Sequence, residues 1–141
     1  MILCLDYGSR YIGVAITDDD NRFALRHSVI DQKIQPALPA LLALAESQPL
    51  SLILVGLPVS LSGNPSQQTK DTAEFIKQLR VALPQEIKIK TVDETLTSFE
   101  AERRLKLEGG NTNDAHSEAA RIMLEEYIKT PRSGERGAAI T

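Results

Sequence analysis

Aromatic side chains are scarce in this chain: three Phe, three Tyr and no Trp make up 4% of 141 residues. A surface that binds single strands by stacking successive bases on aromatic rings is therefore not expected. Cysteine is scarcer still. Cys4 stands alone inside an apolar run, where no intramolecular disulfide can form and a small buried hydrophobe in a reducing compartment is the plain reading. No apolar run approaches the roughly 20 residues that cross a bilayer, and no basic segment followed by an apolar one opens the sequence as in a signal peptide. A cytoplasmic protein with no membrane partner is the expectation. A basic excess is also lacking. The net charge of −3 argues against strong nonspecific nucleic-acid affinity, which depends on cationic side chains displacing counterions. Three basic clusters remain, Arg22 with Arg26 and His27, Lys88 with Lys90, and Arg103, Arg104 with Lys106. They form either a local basic face or ordinary solvated surface. Zinc-type Cys/His spacing is missing, and Ser62, Ser66 and Thr69 stand near no His-Asp pair that would make a nucleophilic triad.

What is present is the composition of a soluble globular domain, 42% apolar and 25% charged, long enough to bury its own core. The chain opens on Ile2-Leu3-Cys4-Leu5, which ends at a single carboxylate, Asp6. A Gly8-Ser9 turn and a second apolar run from Tyr11 to Ile16 complete a β-hairpin pattern. Residues 22–30 suit a third strand. Residues 36–45, rich in Leu and Ala with Pro36 at the start, predict a helix. The run SLILV at 51–55 suits a strand covered on both faces. Ala73, Ile76, Leu79 and Leu83 recur at helical spacing over 69–83, and residues 87–91 alternate as an edge strand does. Thr97-Ser98-Phe99-Glu100 is a capping box closed later by Gly109-Gly110, and a last helix runs over 114–129. The domain is expected to occupy residues 1–129 and a flexible tail residues 130–141. The order β-β-β-α-β-α-β-α-α implies an α/β fold, one mixed five-stranded sheet with an antiparallel start, then parallel strands, and helices on both faces.

Ligand sites in such sheets lie at the carboxyl ends of the strands. Asp6 ends the first strand, Gly56-Leu57-Pro58 the fourth and Asp93-Glu94 the fifth. On the last helix His116 shares the stripe of Ala119, Ala120, Met123 and Tyr127, whereas Asp114 and Glu118 fall on the other side and are expected to face water. The convergent set is therefore Asp6, either Glu94 or Asp93, and His116, with Glu94 the first choice. Hard oxygen ligands with one imidazole suit Mg²⁺ or Mn²⁺, and the imidazole favours Mn²⁺. Such an ion beside a phosphodiester activates water and stabilises the leaving oxygen. A plainer reading stands beside each: Asp6 capping its own turn through the Gly8 or Ser9 amide, Asp93 and Glu94 as surface residues, His116 as an inert histidine near a helix start.

Read together, these blocks resemble the YqgF/RuvX family of RNase H-like proteins. The resemblance rests on Asp6-x-Gly8 with Ile12-Gly13-Val14-Ala15, on Gly56-Leu57-Pro58 with Gly63 and Phe75, on Asp93-Glu94 with Leu96-Thr97, and on Ala119-Ala120 with Ile122, Leu124 and Tyr127. It implies an RNase H-like fold and kinship with Holliday junction resolvases. It also implies a metal-dependent nuclease that matures the small-subunit ribosomal RNA precursor. Asp6, Glu94 and His116 would be catalytic, with Gly8, Arg10, Gly56, Pro58 and Thr97 along the substrate. The family usually has Arg at the positions of Tyr11 and Thr95 and Asp at that of His116. Arg10 would then take over from the first missing Arg.

Two functions from different classes follow: an endonuclease acting on structured RNA or branched DNA, and a noncatalytic RNase H-like module that binds RNA or a protein partner. The departures at Tyr11, Thr95 and His116 favour the second. An ATPase of the actin and sugar-kinase type also opens on Asp-x-Gly, but it needs two such domains and this length holds one. Monomer and homodimer are both compatible with the half-exposed fifth strand and the Leu-rich first helix.

Overall fold

The protein is seen in a computed structural model, which describes residues 1–57, 67–93 and 114–130. Within these residues five strands and three helices follow in the order β1 (Ile2–Tyr7), β2 (Tyr11–Thr17), β3 (Ala24–Asp31), α1 (Ala37–Ser47), β4 (Leu52–Leu57), α2 (Gln67–Ala82), β5 (Lys88–Asp93) and α3 (Asp114–Lys129). They build one sheet in the order β3-β2-β1-β4-β5. β1 is antiparallel to β2 and β2 to β3, whereas β4 and β5 run parallel to β1. The mixed sheet expected from the sequence is thus present, and the carboxyl ends of β1, β4 and β5 open on the same side.

Strand alternation sorts the core into two layers. Leu3, Leu5, Ile12, Val14, Ile16, Ile53, Val55 and Ile89 meet Leu41 of α1 and Phe75, Ile76 and Leu79 of α2. On the other face Cys4, Ala15 and Leu54 meet Ala120, Met123 and Leu124 of α3. Within β2 the residues facing the first layer are large and branched, while those facing α3 are Gly13, Ala15 and Thr17. α3 can therefore lie closer to the sheet than a helix packed on Leu or Ile.

Several boundaries differ from expectation, each for a local reason. β3 starts at Ala24 because the preceding residues close a turn. The Asp18 carboxylate accepts the amides of Arg22 (2.7 Å) and Phe23 (3.1 Å), and Asn21 takes a left-handed φ of 58°. Those amides, Phe23 first, hold the Asp18 carboxyl below its ordinary range. β4 runs two residues past Val55, so Gly56 and Leu57 pair with Val92 and Asp93 instead of turning away. The last helix has the expected bounds. The capping-box helix, the Gly109-Gly110 stop and the tail lie outside the described residues.

Glu118 corrects the expectation of a water-facing carboxylate: only 7% of it is exposed. α3 crosses β1, β2 and β3 together, so an arc wider than the apolar stripe is covered. The charge is compensated by Arg121, whose guanidinium donates to Glu118 at 2.6 and 2.8 Å, with Arg26 of β3 at 3.9 Å. Glu118, then Glu125, keep the Arg121 guanidinium more firmly protonated than usual against the opposing effect of burial. Arg26 is thus drawn to Glu118 and Arg22 to Asp20 (3.2 Å), so both arginines of this basic cluster have acidic partners.

Glu125 lies 2.7 Å from both Lys129 and Arg121, and these two, Lys129 first, hold its carboxyl below the ordinary value of 4.5. A lowered folded value contributes stability that is complete above the unfolded value and fades as pH falls through the folded one. Glu125→Gln is therefore expected to cost about 0.5 kcal/mol at pH 7. Thermal melts at pH 3 should show a smaller difference.

Candidate active site

Asp6 is the penultimate residue of β1, and alternation places it with Cys4 on the α3 face. It is 5% exposed. Its strand partner is Gly13 of β2, and the buried Gly56 continues β4 beside it. Both neighbours lack a side chain, so no side chain from either flanking strand stands beside the carboxylate. Gly13 is a matter of space, not of backbone angle. A Cβ built there would overlap the carbonyl of His116 and come within 2.7 Å of the Ser117 nitrogen. The first turn of α3 thus rests directly on β2 opposite Asp6. That contact delivers His116, whose Nδ1 stands 3.9 Å from Oδ2 of Asp6.

No hydrogen bond reaches the Asp6 carboxylate among the described residues, so the Asx cap weighed from the sequence is not formed there. A carboxylate so deeply buried is costly without compensation, and an imidazole nitrogen beyond hydrogen-bond distance supplies little. A carboxylate oxygen and a ring nitrogen facing each other across 3.9 Å fit two ligands of one small divalent cation. Among the described residues no group of three His, Cys, Asp or Glu forms such a site.

Asp93 closes β5 in an exposed position. Its neighbour Val92 packs in the α3 layer, so alternation directs Asp93 to the opposite face, and the structure does not bring it to Asp6. Glu94, Pro58 and Thr97 lie outside the described residues. Gly8 makes a tight turn in which a Cβ would come 2.7 Å from the Tyr11 carbonyl. Gln32 braces that turn by donating to the carbonyls of Gly8 (2.8 Å) and Ser9 (3.2 Å). Beyond the turn a cleft of about 320 Å³ is lined by Gly8, Arg10, Tyr11, Gln68, Asp71 and His116.

Arg10 is in this cleft but already engaged, donating through Nε and one terminal nitrogen to the two Asp31 oxygens at 3.3 Å. The pairing raises the Arg10 pKa and lowers that of Asp31. Its guanidinium also lies 4.8 Å from the centre of the Tyr11 ring, and that ring is 5.3 Å from the imidazole of His116. Sequence reasoning missed Gln32, Gln68 and Asp71, which carry no local motif. It treated Tyr11 only as a departure.

Comparison with known proteins bears on this arrangement. The model of the family described as "RuvX: Holliday junction resolvase" matches residues 1–130. This chain belongs to the RuvX family. A protein of Maridesulfovibrio salexigens named "Putative pre-16S rRNA nuclease" is 34% identical over 134 residues, covering 90% of this chain and 96% of that protein. One of the same name from Synechococcus elongatus is 32% identical over 142 residues, covering 95% and 92%. Among solved structures, T. thermophilus RuvC in complex with a Holliday junction substrate superposes with a TM-score of 0.56 at 12% identity, covering 90% of this chain and 92% of that one. At that identity the likeness shows the RNase H-like fold. In this RuvX-family chain Asp6, Gly13 and His116 thus stand in the fold shared with that structure.

Proposed function

We propose that this chain is a metal-dependent endonuclease acting on structured nucleic acid in the cytoplasm, with the small-subunit ribosomal RNA precursor as its substrate. The observation that carries the reading is the buried Asp6 carboxylate, without a hydrogen bond among the described residues, facing a ring nitrogen of His116 at 3.9 Å. The names of the relatives supply the substrate class.

Asp6 and His116 would hold the ion, Asp6 through Oδ2 and His116 through Nδ1, with the proton of the neutral imidazole on Nε2. Glu94 is assigned the third ligand position because Asp93 alternates away from the face of Asp6. When bound, such an ion activates water and offsets charge on the leaving oxygen. An imidazole nitrogen is a softer donor than a carboxylate oxygen, so the site should prefer Mn²⁺ to Mg²⁺. The cleft from Gly8 to His116 leads the nucleic acid to the pair, and Gln32 keeps its turn in shape. Arg10, tied to Asp31, sets the edge of this cleft instead of swinging freely toward phosphate.

Titration of Mn²⁺ and of Mg²⁺ into the protein, with a labelled ribosomal precursor present, tests the reading. Cleavage that rises with Mn²⁺ at lower concentration than with Mg²⁺ is the expected result. No metal binding at millimolar concentration, together with retained RNA binding, would overturn it in favour of the noncatalytic module.

A further inference from the structure

We propose that Tyr11 is a positioning residue that sets the orientation of the His116 imidazole, an inference that rests on the reading of Asp6 and His116 as metal ligands. The last torsion of a histidine side chain is broad and roughly two-fold. Half a turn about it exchanges Nδ1 for a carbon and takes the nitrogen away from Asp6. A histidine that binds metal is usually held against that rotation by a hydrogen bond from its other ring nitrogen. Among the described residues neither ring nitrogen of His116 makes one, and about a third of the side chain, 37%, is open to solvent. Among the described residues the ring packs on Tyr11, with centroids 5.3 Å apart and planes inclined by 31°, within the range of favourable aromatic pairs.

Tyr11 is itself fixed. Its backbone, at the start of β2, pairs with Asp31 at the end of β3, and the guanidinium of Arg10, anchored by that same Asp31, lies 4.8 Å from its ring centre. A line of contacts therefore runs from Asp31 through Arg10 and Tyr11 to His116 and ends at Asp6. It does by ring packing what a hydrogen-bonded outer partner does elsewhere.

The test compares Tyr11→Leu and Tyr11→Phe with wild type in three measurements: Mn²⁺ affinity by calorimetry, melting temperature, and NMR relaxation of the His116 ring carbons in metal-free protein. The chain has two histidines, and His27, exposed on β3, serves as the internal control. Tyr11→Leu is expected to weaken Mn²⁺ binding by about 10-fold, the lower end of what lost outer partners cost. It should loosen the His116 ring without moving the melting temperature, while Tyr11→Phe behaves as wild type. A Tyr11→Leu protein whose ring stays ordered overturns the proposal, as does one that binds Mn²⁺ like wild type, and as does a Tyr11→Phe protein as weak as Tyr11→Leu. Should Tyr11→Leu fail to fold, Tyr11→Met takes its place. A wild-type protein that binds no Mn²⁺ defeats the metal reading instead, and the relaxation data then decide the ring contact separately.

Discussion

Gly13→Ala is expected to lower the melting temperature by about 10 °C, the equivalent of about 3 kcal/mol of overpacking in a domain of this size. An alanine at a glycine in extended backbone ordinarily stabilises, by about 0.4–1 kcal/mol, because it restricts the unfolded chain. The sign reverses here because the added methyl meets backbone, the carbonyl of His116 and the Ser117 nitrogen. A side chain can rotate aside, whereas backbone in a helix can only move with the helix. α3 must therefore lift from β2, which thins the layer of Cys4, Ala15, Ala120 and Met123 and withdraws His116 from Asp6. Mn²⁺ affinity should fall with stability. Thermal melts and metal titration of the same preparation check both effects, and an unchanged melting temperature would refute the close approach of α3 to β2.

Asp6→Asn is expected to remove cleavage and, at the same time, to stabilise the protein. A lost metal ligand should reduce Mn²⁺ binding by more than the roughly 100-fold upper end seen for outer partners. Stability should move the other way. A carboxylate with 5% exposure and no hydrogen bond among the described residues is a cost that the metal-free fold bears, and an amide of the same shape relieves part of it. About 1 kcal/mol, or a rise of about 3 °C in melting temperature, is the scale of that relief. The opposing signs separate the roles. If Asp6 served only to cap its turn, the substitution would lower the melting temperature and leave metal binding untouched. Measuring both properties with and without Mn²⁺ distinguishes the cases, since bound metal should raise the melting temperature of wild type alone.

Much of the architecture was legible because short-range pattern and long-range packing agree. Apolar runs in β1 and β2, alternation in β5 and helical spacing in α2 and α3 follow from which residues must leave water, and the order of elements then allows few sheets. Asp6 stood out as a single charge ending an apolar run. Other features depend on which element lies over which. Glu118 has the spacing of an exposed residue, and only the passage of α3 across β3 covers it and supplies Arg26 beside Arg121. Arg10 reads as a free cation until Asp31, 21 residues away, is seen to hold it.

The sequence alone determined the set of strands and helices, the two-layer core and the carboxylate at the end of β1, because periodicity and burial act over a few neighbouring residues. Only the tertiary structure decided that Gly13 is the seat of α3, how far His116, expected beside Asp6, stands from it, and that Tyr11 packs on the imidazole. Those are distances between segments more than 100 residues apart, set by how closely a helix can approach a strand that carries no side chain at that point.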